Sequence, residues 1–450
     1  MISLKKRVAI IGMAVASSLV ATSAVQAETV AGGGASFPEI FIKAAMAEFN
    51  KQFNHSFSYD SKGSGTGQSS FKSGTYDFGG SDSAVTSANT PSFGWTYVPY
   101  VAGAIAITYR LDELKGAQLS LSQQTAEKIF NGSITKWNDP AIAKDMKENP
   151  TWSNSKKRSD YKGVSSLWQN ERRTNSAVVT VAINPSVVKK LRGKKVEVID
   201  TTTKKAIVTS TVAKKTEIKL SVKINQKNTY QVKADGKTVS EYKLVATPKL
   251  PDRDIIVVYR ADGSGTSANF GIFMKSVNPA WGTGNNHNTN VPGGVAQFGS
   301  RFQGQQQSSN QSNYVADTNG SIGYSETSFA YDPSRQQKGL RVVALKNNFG
   351  QYIQPSSSSY NAFLAGATVA DNGFVTFNYA RKTRGAYPIG AVTYILARTA
   401  KSAKGDVIRQ FIEFMINDYA PQFGEGLGFV PLSGAMKAKG LEMAKKVSAS

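Results

Sequence analysis

Phe41, Ala45, Phe49 and Phe53 recur every four residues, which places them on one face of a helix running to about residue 53. Pro38 suits the first turn of that helix, and Ser36 stands where an N-cap belongs. A short strand over 56–59 and a brief helix ended by Gly74, the residue type best suited to a left-handed cap, follow. Residues 98–109 form an apolar run long enough for a strand that crosses into a second domain. A short helix is predicted over 126–131, and a turn over 134–140 leads into another.

From about residue 177 to 246 the period falls to two. Runs at 178–183, 196–199, 207–212, 218–224, 230–232 and 242–245 alternate, and Lys-rich or Gly-bearing turns such as Ala234-Asp235-Gly236-Lys237 separate them. Six or seven strands at this spacing predict a small all-β, sandwich-like domain inserted into its host. The host texture resumes at Asp254. Residues 303–313 are almost wholly Gln, Ser, Asn and Gly and read as flexible surface. Residues 320–324 begin a strand, 386–389 and 392–396 return the chain to the first domain, and 407–415 form a packing helix on Ile408, Phe411 and Ile412.

The junctions carry the chemistry. The β-branched run 255–258 passes through Tyr259-Arg260-Ala261-Asp262-Gly263 into Ser264-Gly265-Thr266-Ser267 and a helix with Phe270, Phe273 and Met274. A strand, a glycine turn and a helix start leave the N–H groups of Gly265, Thr266 and Ser267 without intrahelical partners, beside hydroxyls. Arg260 adds a forked, permanent charge that Asp262 can orient. Such a corner suits a small tetrahedral oxyanion; its plain alternative is a Gly-Ser turn with a surface arginine. Two more Gly/Ser-rich corners, Lys62-Gly63-Ser64-Gly65-Thr66-Gly67 and Asp77-Phe78-Gly79-Gly80-Ser81-Asp82, lie before residue 83. Three together predict several helix N-termini converging on one anion.

Charge and composition narrow the partners. The formal net charge is +23, yet residues 151–250 hold 22 Lys/Arg against 7 Asp/Glu, so one segment makes the chain basic. There is no cysteine, which excludes disulfides, thiolate metal sites and cysteine nucleophiles. Lys5, Lys6 and Arg7 precede an apolar run, and Val25-Gln26-Ala27 offers a cleavage site, so residues 1–27 read as a secretory signal peptide. No cysteine follows to carry a lipid, and the mature protein is expected to be exported and soluble.

Other motifs fail. Gly236-Lys237-Thr238 lacks the earlier glycine of a P-loop, since residue 231 is Gln231, and it lies in a hairpin. A Ser-His-Asp hydrolase needs His55 or His287, and both read as solvated loop histidines. The aromatics of the basic segment are too few to stack single-stranded nucleic acid, so no nucleic acid is expected.

Gly33-Gly34-Ala35-Ser36-Phe37-Pro38, Gly63-Ser64-Gly65-Thr66-Gly67, Asp77 to Asp82 and Arg260 to Ser267, in that order, resemble the phosphate-binding protein of the bacterial high-affinity phosphate ABC transporter. Residues 134–144, Ile322-Gly323-Tyr324 and Tyr387-Pro388-Ile389 also fit, and the likeness spans nearly all of the mature chain except roughly 151–250. It implies an α/β, two-lobed periplasmic-binding-protein-like fold of type II with hinge strands. Lobe I would comprise 28–103 and 390–450, lobe II 104–150 and 250–389, with 151–249 as the basic β-rich insert. It further implies inorganic phosphate held without metal or cofactor by Ser36, Phe37, Ser64 and Asp82 from one lobe and Arg260, Ser264, Gly265 and Thr266 from the other. Asp262 would orient the arginine, and a membrane permease would be the partner.

Within that expectation Asp82 is the discriminator. It is an acceptor facing an anion, tolerable only where the ligand brings a proton, as phosphate does near neutral pH and sulfate does not. Hinge closure would desolvate the anion only when the lobes meet. The likeness leaves the basic insert unexplained: it is either a solvated domain or an attachment to an anionic cell-envelope surface. Two competing classes stay in view: an enzyme such as a phosphatase in the same pocket, against which the lack of an evident nucleophile–base pair weighs, and a surface protein whose insert does the work.

Overall fold

Trp95–Arg110 is a single strand of 16 residues, buried along nearly all its length, and the host fold is built across it. The computed structural model describes residues 27–154, 161–170, 175–246 and 248–449; all but the last residue of the expected signal peptide lies outside them. The principal strands are β1 (Thr29–Gly34), β2 (Ser56–Ser61), β3 (Phe78–Ser81), β4 (Trp95–Arg110), β5 (Ile256–Arg260), β6 (Phe302–Gln305), β7 (Ser321–Glu326) and β8 (Gly390–Arg398). They form one sheet in the order β6-β5-β7-β4-β8-β3-β1-β2, and the short strands Arg341–Val342 and Val430–Pro431 also pair with β4.

Two parallel wings, β2-β1-β3 and β6-β5-β7, flank an antiparallel centre. Residues 95–104 of β4 pair with β8, and residues 105–110 pair with β7, so β4 itself carries the chain from one wing to the other. The return passes through Tyr387 and Ile389. Ile105 N donates to the Ile389 carbonyl at 3.0 Å, and Tyr387 Oη donates to the Ile105 carbonyl at 3.0 Å. Strands buried on both faces explain the continuous apolar runs read at 98–109 and 255–258.

Helices follow the parallel strands: α1 (Glu39–Phe53) after β1, α2 (Ser64–Ser73) after β2, α3 (Gly265–Val277) after β5 and α4 (Gln307–Asp317) after β6. In α1, Phe41, Ala45 and Phe49 face the core as their spacing predicts. Ser36 does not cap this helix: the N-cap position falls on Pro38, which has no side-chain donor or acceptor to offer. After β3 the chain makes a loop and a short 3-10 turn, Ser87–Asn89, so the third corner carries no α-helix.

The segment read as an insert has its own core, including Val179, Val181, Val196, Val198, Leu220, Tyr230 and Val232. Among the described residues it contains a five-stranded antiparallel sheet and a three-stranded one. The helix Pro185–Leu191 joins Ser176–Ile183 to Lys195–Asp200 and interrupts what reads as an all-β run. Entry and exit lie side by side: Val245 N donates to the Thr151 carbonyl at 2.8 Å, the arrangement that lets a domain be inserted with little strain.

Two further expectations need correction. Residues 303–313 are not flexible surface; they supply β6 and the start of α4, with Ser308, Gln311 and Ser312 buried. Gln311 Nε2 donates to the Val258 carbonyl at 3.0 Å, and Ser312 Oγ to the Ser308 carbonyl at 2.8 Å, so hydrogen bonds offset the burial of polar side chains. Neither histidine is solvated. His55 is buried and its Nδ1 accepts from Glu28 N at 3.2 Å. His287 is fully buried beside Tyr324, with Nδ1 3.0 Å from the phenol oxygen, and burial holds its pKa down to about 3. The final helix, Gly434–Ala444, carries too weak a pattern to be read beforehand.

Candidate functional site

The two wings run in opposite directions, so their carboxyl ends face each other, which is where open α/β sheets present ligand sites. Their corners touch. Gly65 N donates to the Gly263 carbonyl at 2.8 Å, Asn269 Nδ2 to the Asp82 carbonyl at 2.6 Å and Gln307 Nε2 to the Ser61 carbonyl at 2.7 Å. A Cβ on Gly63 would stand 2.6 Å from Asp262 Oδ2, and one on Gly265 2.4 Å from Ser64 Oγ. Only glycine permits this approach.

All the residues singled out from the sequence lie at these corners. After β1, Ser36 turns its hydroxyl toward the opposite wing, 3.2 Å from Ser308 Oγ, whereas the Phe37 ring enters the core edge-on to Phe429 at 5.7 Å and leaves only its backbone to the corner. Ser64 begins α2, and its Oγ accepts from Asp82 N at 3.1 Å. Asp82 follows β3, buried. Arg260 ends β5. Ser264 is the N-cap of α3, its Oγ accepting from Ser267 N at 3.2 Å, and Gly265 and Thr266 are the first helical residues.

Arg260 is fully buried and held as a fork: Nε donates to Asp262 Oδ1 at 2.7 Å and Nη2 to Asp262 Oδ2. Burial opposes its charge, but Asp262 outweighs burial and raises the guanidinium pKa. Asp262 Oδ1 also accepts from Gln307 N at 3.1 Å. Gln307 adopts φ 64°, a left-handed conformation that costs a side-chain-bearing residue energy, while its two nitrogens tie Asp262 to Ser61.

Two further residues join the site that reasoning from the sequence missed. Ser308, from α4, accepts from Arg260 Nη1 at 2.8 Å. Glu326, the last residue of β7, is buried and its Oε1 accepts from Ser308 Oγ at 2.9 Å and from Thr266 Oγ1 at 2.8 Å. Glu326 stands two residues beyond Gly323-Tyr324, so its strand was legible in the sequence, but nothing local marks its carboxylate as part of the site. Ser308 is hidden inside a polar run.

Donors crowd this pocket, and two acceptor atoms are left over: Asp82 Oδ1 and Glu326 Oε2 are buried without a hydrogen-bond partner. Burial pushes the Asp82 carboxyl up to about 7; the Thr393 hydroxyl, Arg260 and Ser64 oppose this, while the negative Glu326 adds to it. The arrangement fits a small oxyanion that carries a proton of its own. Among the described residues no cluster of three or more His, Cys, Asp or Glu could hold a metal ion.

A model of the PBP superfamily domain matches residues 19–247 and 231–419 of the chain. The phosphate-binding protein PstS of Xylella fastidiosa is 26% identical over 426 residues, covering 93% of this chain and 85% of that protein. The phosphate-binding protein PstS3 of Mycobacterium bovis is 24% identical over 470 residues, covering 96% of each. Among solved structures, a phosphate-binding protein from Stenotrophomonas maltophilia matches with a TM-score of 0.53 at 18% identity, over 92% of this chain and 93% of that one. A DING protein matches with a TM-score of 0.55 at 17% identity, over 91% and 92%. These likenesses establish a two-lobed type II fold.

Proposed function

The chain belongs to the PBP superfamily, and from that premise we propose that it is an extracytoplasmic solute-binding protein that captures inorganic phosphate between its lobes and delivers it to the membrane permease of an ABC importer. Its relatives are named phosphate-binding proteins, which supports the ligand. We assign 28–103 and 390–450 to one lobe, 104–150 and 250–389 to the other, and 151–249 to the insert. The proposed contacts are the backbone of Ser36 and Phe37, the hydroxyls of Ser36, Ser64, Ser264 and Thr266, the N–H groups of Gly265 and Thr266, and Arg260 oriented by Asp262.

The observation that carries this reading is Asp82, a buried carboxylate beside Ser64, Thr393 and Arg260 whose Oδ1 is left without a hydrogen-bond partner. A protonated oxyanion supplies that partner. Sulfate instead faces Asp82 with oxygen against oxygen, a buried like-charge contact that costs several kcal/mol and so about a thousandfold in affinity. The protein is accordingly a binder and not an enzyme, acts without cofactor, and works outside the cytoplasm once residues 1–27 are removed. No described helix is long and apolar enough to cross a membrane. The exposed lysines of the insert, Lys205, Lys219 and Lys223 among them, support a secondary hold on the anionic cell envelope that salt should screen.

Titration calorimetry of the chain from Glu28 onward, stripped of ligand, tests the proposal with phosphate and then sulfate. Tight phosphate binding without a sulfate signal is expected. Equal binding of both removes the role given to Asp82, and no binding of either removes the function.

A further inference from the structure

Glu326 has no part in the contacts proposed above, yet it is wired to both sides of them. Its Oε1 receives Thr266 Oγ1 at 2.8 Å and Ser308 Oγ at 2.9 Å, and its Oε2 is buried with nothing to accept from. Ser308 in turn receives Arg260 Nη1 and lies 3.2 Å from Ser36 Oγ. The hydroxyl protons aimed at Glu326 are thus ones that an oxyanion between Arg260 and Thr266 also needs.

We propose that Glu326 is a second recognition carboxylate, which holds the Thr266 and Ser308 hydroxyls until an oxyanion draws them away and then takes up a proton from solvent in their place. The inference rests on the phosphate reading. Its charge balance is simple. Arg260 is matched by Asp262, so Asp82 and Glu326, both buried, add two uncompensated negative charges to the pocket, where like charges repel strongly. An incoming anion that also removes two hydrogen bonds from Glu326 leaves that carboxylate with Arg260 as its one nearby cation. Protonation resolves the conflict without moving the backbone.

The groups that face Glu326 are few. Arg260 approaches from β5 and Asp82 from the other wing, while α3 and α4 bring the non-titrating Thr266 and Ser308. On its own strand Tyr324 is kept protonated by burial, and the adjoining His287 is kept neutral. Burial raises the Glu326 pKa and Arg260 opposes the rise, the direction that uptake requires.

Calorimetry with inorganic phosphate at about pH 8.5, in two buffers of different ionisation enthalpy, counts the protons taken up while the ligand remains a monohydrogen dianion. Wild type is expected to take up about one proton per phosphate more than Glu326→Gln, which keeps the shape and hydrogen bonding of the neutral acid. Above neutrality the dissociation constant of wild type should rise with pH by about one power of ten per unit more steeply than that of the variant. Equal counts and equal slopes overturn the inference, as does loss of the uptake in Asp82→Asn but not in Glu326→Gln. Should Glu326→Gln fail to fold, wild type alone still decides against it by binding phosphate with no proton uptake. Wild type that does not bind phosphate at all fails differently: it removes the function first, and this inference with it.

Discussion

Burial raises the Asp82 carboxyl from its ordinary range to about 7, so the residue proposed to select the ligand also weakens the fold. Below about pH 4 the side chain is protonated in both folded and unfolded chains. Between about 4 and 7 only the folded chain keeps the proton, and the stability this contributes is lost as the pH rises through 7. Asp82→Asn is therefore expected to melt higher than wild type at pH 8, by an amount worth a few kcal/mol, and to lose that advantage as the pH falls toward 4. Melting curves with the same difference at both pH values would trace the gain to something other than the charge. The same variant should bind sulfate better relative to phosphate, measured by competition; no relative gain removes Asp82 as the discriminator. Arg260, Asp262 and Ser264 were legible in the sequence because they sit within five positions of one turn. Ser308 and Glu326 were not, since their bonds to Arg260 and Thr266 span 48 and 60 residues.

Among the elements, the strand-to-helix corners depend most on glycine. Gly34 ends β1 at φ +133°, and a Cβ there would lie 2.2 Å from the Gly80 carbonyl oxygen and 2.6 Å from Gly67 Cα. Both neighbours are backbone and cannot swing aside. Gly34→Ala is expected to destabilise the protein by about 3 kcal/mol or more, since it combines overpacking with a disfavoured φ; an unchanged denaturant midpoint would refute the close packing of β1, β3 and α2. Glycine-rich motifs announce such approaches in the sequence. Helix α4 is the opposite case: Ser308, Gln311 and Ser312 are buried, and a hydropathy pattern reads them as surface because it registers apolar faces and not satisfied hydrogen bonds. His287 was misread for the same reason, its cover coming from Tyr324 and Phe270, distant in sequence.

For the whole molecule, the wings are joined through β4 and the return into β8, and their corners meet through a few polar contacts, including those of Gly65, Asn269 and Gln307. So few bonds between the corners suit a hinge whose closed form the ligand favours by adding contacts to both sides. Small-angle scattering should record a smaller radius of gyration with phosphate than without; identical curves in the two conditions would exclude closure as the signal to the permease. The basic insert folds around a separate core and leaves the host through adjacent residues, so its charge can act apart from the hinge.

The sequence by itself determined the local elements, the glycine corners and the residue types suited to a protonated oxyanion, because periodicity, capping and turn chemistry act over a few residues. Its period-two runs likewise marked the insert. Only the tertiary structure decided that the corners of both wings meet, that Ser308 and Glu326 complete the pocket, and that both histidines are buried. Those outcomes depend on contacts between residues tens to hundreds of positions apart, which no local pattern encodes.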